Sequence, residues 1–316
     1  MKHPFTRRSM LAGLSSAAWA AWPGLSWAQT DRPIKFILPN ATGSGVDAIT
    51  RAAAPALGKA LGANVVVENQ AGAGGVVGLQ ALSKNAPDGY TLSVVSNNVV
   101  IFPSVLKSLP FDMPGDFTPI AVVGSTPMVL VVNPQRMNAT NSRELIALLK
   151  AKPDGYNFGS GGNGTILHLT AEMFLDEAKV KARHIPYKGV GPMVTDLLGG
   201  QIDFAVLATP SVQQHIKSGA LRAIGMCADK RTTAAPDIPT FIEQGLTGYN
   251  MEAWFAVIGP KGMTPAQVKK VHDAVVAAFN DPGVKETMAK QGNAISITST
   301  EQAQKGFRAE LAKYAA

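Results

Sequence analysis

The chain has 316 residues, 46% hydrophobic and 16% charged, with a formal net charge of +7. That length suits two domains of ordinary size, and the composition supports a buried core and excludes extended disorder. Three of the positive charges, Lys2, Arg7 and Arg8, fall in the first 28 residues; without them the balance is +4, with no Lys/Arg run, which argues against nucleic acid as a partner.

Those first 28 residues read as an export signal. Arg7 and Arg8 form a twin-arginine pair, an apolar stretch runs from Met10 to Trp22, and S-W-A precedes Gln29. The apolar stretch is short for a membrane span and is broken by Pro23 and Gly24. The expectation is a periplasmic protein, cleaved before Gln29 by a twin-arginine route and not itself embedded in the membrane. The single cysteine, Cys227, makes no internal disulfide and no Cys-rich metal site; within "LRAIGMCA" it reads as a small buried hydrophobe.

Along the mature chain, strands and helices alternate. "IKFIL" predicts a strand, and "GVDAITRAAAPALGKALG" a helix with Val46, Ile49, Ala53, Leu57 and Leu61 at spacings of three and four. "NVVVEN", "GGVVGLQALSKN" and "TLSVVS" follow as strand, helix and strand. "IAVVG" and "MVLVVN" predict two strands, then come the helix "SRELIALLKAK" and the strand "YNFGSG". "ILHLTAEMFLDEA", "MVTDLL" and "SVQQHIK" predict helices between the strands "ARHIPY", "IDFAVLA" and "LRAIGM". Asn141 with Glu144, and Thr264-Pro265 with Gln267, give helix-start signals. This alternation argues parallel sheets of the α/β class. "TPMVLVVNP" (126–134) and "MEAWFAVIGP" (251–260) are candidate crossings. They predict one lobe of residues 29–127 plus 255–316, a second of 128–254, and a hinge between them.

Three glycine-rich junctions stand between strand and helix: "NATGSGVD", "AGAGGVVG" and "GSGGNGT". Glycines let backbone N–H groups converge on a ligand, and a helix start carries unpaired N–H groups with partial positive charge, so the expected guest is an anion. "AGAGGVVG" also approaches a dinucleotide fingerprint, but Val77 stands where the third glycine belongs. Neither Ser44 nor Ser160 has the glycine two residues earlier that a hydrolase elbow requires. His168, His184, His215 and His272 show no metal-ligand spacing. His168, on an apolar helix, reads as a loop brace, and Asp47 as a partner of local N–H groups or a ligand contact.

"TGSGVDAITR", "VVVENQAGAGGVVG", "APDGYTL", "LPFDMPGDFTPIA", "GSGGNGTILHLTAEMF", "HIPYKGVGPMVTDLLGGQID" and "AWFAVIGPKGMT" occur in that order. This series resembles the Bug-type extracytoplasmic receptors of tripartite tricarboxylate transporters, over about residues 31 to 316. The resemblance implies a type II periplasmic-binding-protein fold, two α/β lobes joined by two hinge strands, with a small organic carboxylate held between them. It implies binding roles for Thr42, Gly43, Ser44 and Asp47 in one lobe, and for Ser160, Gly161, Gly164, Thr165 and His168 in the other. Gly45, Gly74, Gly75, Asn97, Tyr187 and Thr209 complete the expected ligand-binding set. Gly43 and Gly161 are the glycines expected to need close approach. Where many relatives have two adjacent glycines this chain has Gly43-Ser44, and "NNVVIFP" replaces a Thr/Ser-rich stretch. The expected protein is a monomeric solute receptor with membrane transporter subunits as partners, and with no cofactor, metal or catalytic residue. The alternatives are a receptor feeding a sensor kinase and a periplasmic hydrolase on the same fold.

Overall fold

A computed structural model describes residues 32–315 apart from Thr233 and Asn250; the expected leader and its cleavage point lie outside the described residues. The first half of the fold contains β1 (Ile34–Leu38), α1 (Gly45–Leu61), β2 (Val65–Asn69), α2 (Val76–Ser83), β3 (Thr91–Ser96) and α3 (Asn98–Val105). β1 pairs in parallel with β2 and β3. The predicted stripe on α1 is buried throughout, because residues three and four apart share the face turned to the sheet.

β4 (Phe117–Val132) is one strand of 16 residues where the sequence predicts two. The small and polar run Gly124-Ser125-Thr126-Pro127 looks like a turn, yet it stays extended. Register shifts between Pro119 and Ala121 and between Val122 and Gly124 absorb the irregularity while pairing with β9 (Glu252–Pro260) continues. β4 thus passes from one half of the sheet into the other.

The second half contains α4 (Ser142–Ala151), β5 (Asn157–Ser160), α5 (Ile166–Glu177), β6 (Arg183–Pro186), α6 (Val190–Leu198), β7 (Phe204–Ala208), α7 (Thr209–Lys217) and β8 (Arg222–Met226). The chain returns through β9 to α8 (Pro265–Asn280), α9 (Pro282–Lys290), β10 (Ala294–Ile295) and α10 (Thr300–Ala315). The strand order is β2-β1-β3-β9-β4-β7-β5-β6, with β8 and β10 also on β4. Both predicted helix starts are capped. Thr264 and Gln267 form a reciprocal capping box, and Asn141 accepts the Glu144 N–H while Glu144 reaches back one residue further, to Thr140.

Alternate residues of each central strand feed different apolar clusters. On β9, Phe255 and Val257 join one and Ala256 and Ile258 the other; on β4, Met128, Leu130 and Val132 separate in the same way from Val129 and Val131. The period of two follows from the pleat, and helices on both faces explain why these strands read as continuous apolar runs. Each fully buried Phe or Leu contributes roughly 1.5–3 kcal/mol. Cys227 belongs to this core; burial pushes its thiol up to about 12, against an opposing hydrogen bond with Tyr249. Among the described residues, no helix is long and apolar enough to cross a membrane.

Candidate functional site

The strand-to-helix junctions of β1, β2, β5, β6 and β7 all contribute to one cleft, at the carboxyl ends of parallel strands where α/β sheets hold ligands. After β1, Ser44 caps α1. Its Oγ accepts the Asp47 N–H at 3.2 Å and its carbonyl the Ala48 N–H at 2.9 Å. Among the described residues, the Gly45 and Val46 N–H groups have no protein acceptor, and the Ser44 hydroxyl proton is uncommitted. Asp47 faces away from the cleft. Its Oδ2 accepts the Gly43 N–H at 3.0 Å, and its Oδ1 accepts from Arg51 Nε at 2.8 Å and Asn69 Nδ2 at 3.0 Å. It braces the loop, and Arg51 offsets its charge.

On the opposite wall Thr165 caps α5, accepting the His168 N–H at 3.3 Å and donating to the Gly162 carbonyl at 2.8 Å. Asn98 Oδ1 reaches across from α3 and accepts the Ile166 N–H at 2.7 Å, so Leu167 keeps the one N–H of this first turn without a protein acceptor among the described residues. His168 Nδ1 accepts the Gly164 N–H at 3.2 Å, which in the neutral ring puts the proton on Nε2, 3.3 Å from Glu172 Oε1. The His184 ring stacks on that of His168 at 3.9 Å and lies 2.7 Å, through Nε2, from Ser160 Oγ. Burial first, and then the neighbouring His168, hold the His184 imidazole down to about 4. This Ser–His pair does not make a nucleophile. Ser160 is fully buried, its Oγ also accepts the Gly162 N–H at 3.1 Å, and it is absent from the cleft wall.

The cleft holds a cavity of about 60 Å³ that opens to solvent on one side. Of the expected residues, Ser44, Gly45, Gly74, Gly75, Gly161 and Thr165 line it. Thr42 and Gly43 sit exposed at its rim, where the Gly43 carbonyl accepts a hydrogen bond from Ser211 Oγ at 3.0 Å. Gly164, His168 and Ser160 lie behind the wall, and Thr209 spends its hydroxyl on the Pro127 carbonyl at 2.9 Å. Tyr187 donates to Asp196 Oδ2 at 2.8 Å; burial, then Asp196, push its phenol up to about 12. Asn97 is not part of the cleft wall and is bonded to β9, accepting the Trp254 N–H at 2.9 Å.

Close approach falls elsewhere than expected. Nothing lies within 4 Å of where a Gly43 side chain would begin, and at Gly161 only Leu167 Cδ1 does, at 3.7 Å. The tightest contacts from one wall to the other are Gly189 against Ala41 and Gly164 against Val105, with Gly162 against Gly74, Gly74 against Thr165 and Gly45 against Ala208 close behind. Sequence reasoning also missed Asn40, Asn98, Thr126, Lys188 and Ala208. Lys188-Gly189 lies inside the "HIPYKGVG" run, which was its one available signal; a polar residue within an apolar strand, such as Thr126, carried none.

Residues 49–316 match the tripartite tricarboxylate transporter family receptors, TctC. The chain belongs to this family. Protein BugT of Bordetella pertussis (strain Tohama I) is 37% identical over 281 residues, which are 88% of this chain and 86% of that one. The solved structure of the periplasmic binding protein BugD is 30% identical, with a TM-score of 0.86 over 90% of this chain and 95% of that one. MatC from Rhodopseudomonas palustris, solved with bound malate, is 25% identical, with a TM-score of 0.83 over 90% and 98%. The resemblance to Bug-type receptors therefore holds, as does the α/β periplasmic-binding-protein fold. TctC proteins are solute receptors of the periplasm and not enzymes, and this chain is one of them.

Proposed function

We propose that this TctC receptor captures a small organic carboxylate between two lobes and delivers it to the membrane subunits of a tripartite tricarboxylate transporter. In this reading residues 1–28 are an export signal removed before Gln29. Residues 29–127 plus 255–316 form one lobe and 128–254 the other, closing on the strands β4 and β9 as hinges. The observation that carries it is the pairing of helix starts. The free N–H groups of Gly45 and Val46, with the Ser44 hydroxyl, lie on one wall and the Leu167 N–H on the other, and among the described residues no acidic side chain lines the space between. Each hydrogen bond to a charged oxygen is worth on the order of 1.5–3 kcal/mol. Three or four, less the cost of closure, reach roughly −8 kcal/mol, near micromolar affinity. Native mass spectrometry of protein from a periplasmic extract tests the reading. The expected species begins at Gln29 and carries a co-purified acid. Protein stripped of that acid is expected to regain about 2.7 kcal/mol of stability at a hundredfold excess over Kd. Absence of any thermal shift across a broad acid panel would sink the carboxylate.

A further inference from the structure

Ser96, the last residue of β3, lies on the cleft wall and is 6% exposed. It stands directly opposite Phe255 of β9 in an antiparallel pair, so the two side chains share one face of the sheet. That face is the cleft side. Phe255 also lines the cavity, and its ring comes within 3.9 Å of where a Gly45 side chain would begin, at the start of α1. Among the described residues the Ser96 hydroxyl has no hydrogen-bond partner. Thr126 Oγ1 and Asn40 Oδ1 on the same wall also lack a partner, but those two oxygens are sealed away from the cavity, and the Ser96 oxygen is not. A hydroxyl this deeply buried, opening on a cavity and bonded to no protein group, is left for an occupant to satisfy.

We infer that Ser96 is a further ligand-binding residue, its hydroxyl donating to the same carboxylate that the start of α1 holds. This rests on the reading that the cleft binds a carboxylate. The Gly45 and Val46 N–H groups and the Ser44 hydroxyl come from the helix; Ser96 adds a donor from the sheet. A carboxylate offers about four acceptor positions on its two oxygens, so three donors from one helix start leave a place for another. The size of the cavity decides which ligand group the hydroxyl meets. A water-sized atom needs roughly 10–15 Å³ of such space, so about 60 Å³ takes about five atoms, which is a carboxylate and its nearest neighbours. Ser93 provides the contrast on the same strand. It is 1% exposed, is absent from the cavity wall, and lies 3.4 Å through Oγ from the Val94 carbonyl; an odd spacing from Ser96 turns it to the opposite face.

The test is calorimetry and denaturant unfolding on full mature protein stripped of bound acid, in wild type, Ser96→Ala and Ser93→Ala, with butyrate, succinate, malate and citrate as probes. Ser96→Ala is expected to weaken every acid that wild type binds by about tenfold or more, since each loses a hydrogen bond to a charged oxygen. Its unfolding midpoint without acid should stay at the wild-type value, because the hydroxyl has no protein partner to lose. Ser93→Ala should leave the affinities unchanged. Wild-type affinity in Ser96→Ala overturns the inference while leaving the carboxylate reading intact. Weakening confined to some of the bound acids overturns it too, because all of them carry the carboxylate. A lower midpoint in Ser96→Ala, with an equal loss of affinity in Ser93→Ala, makes Ser96 a structural residue of β3. Folded wild type that binds no acid in the set, nor in a broader panel, brings down the underlying reading as well.

Discussion

The stacked rings of His168 and His184 pack against the loop that carries Gly161 and Thr165, His184 through Ser160 and His168 through Gly164, so protonation of His184 bears on the cleft. His184 is held down to about 4 in the fold, against 6.5 when free. Between those values the unfolded chain binds a proton that the native state refuses, so stability is complete above about pH 6.5 and falls as the pH drops toward 4. Glu172 and the partner ring His168 are the titratable groups that share this cluster. Denaturant midpoints taken at a series of pH values should therefore decline across that window in wild type, with a shallower slope in His184→Gln. Identical slopes would remove His184 from the account. The same residues mark how far single positions were legible. His168 was readable as a loop brace from its place on an apolar helix, whereas Asp47 stayed open between a partner of local N–H groups and a ligand contact, because both roles suit an acid in the first turn of a helix. Cys227 was readable from its apolar neighbours. Asn40, Asn98 and Thr126 were not, because the property that makes them interesting, a bridge or a missing partner, arises only when distant segments pack.

At the scale of elements, the site consists of helix starts held against one another, and the distance of approach is set where one backbone meets the other. Gly189, at φ +145° before α6, lies so close to Ala41 on the β1–α1 loop that a Cβ there would collide with the alanine methyl. Gly189→Val is expected to keep both sheet halves folded but hold the walls apart, weakening acid binding at least about tenfold. Gly161→Val, with open space and ordinary backbone, should weaken it far less. Calorimetry on the two variants separates them, and the reverse ranking would place the contact between walls elsewhere. The alternation of strands and helices was legible because each signal is local: short, nearly continuous apolar runs along β1 and β7, and spacings of three and four along α1. The continuity of β4 was not. Its irregular middle is held extended by β9 and β10, which lie more than a hundred residues later in the chain.

For the molecule as a whole, the two halves of the sheet share the strands β4 and β9, and across the cleft a small number of hydrogen bonds hold the walls together. Asn98 is the most buried of these links, 8% exposed, with Oδ1 on the Ile166 N–H and Nδ2 donating to the Gly74 carbonyl at 3.4 Å. Removing it leaves the Ile166 N–H unpaired in the closed form, at a cost of about 1–3 kcal/mol, while in an open form water replaces the lost partner. With the lobes hinged as proposed, the penalty falls on closure and not on folding. Asn98→Ala should show a larger radius of gyration without ligand than wild type, bind the acid about tenfold or more weakly, and still compact at saturating ligand. Its denaturation midpoint without ligand should change little, because the open form already satisfies the exposed group. Small-angle scattering with and without acid reads the first effect, and calorimetry the second. Should Asn98→Ala match wild type in radius and affinity but unfold at lower denaturant, Asn98 is a core residue that happens to span the cleft, and closure is governed by the glycine contacts alone.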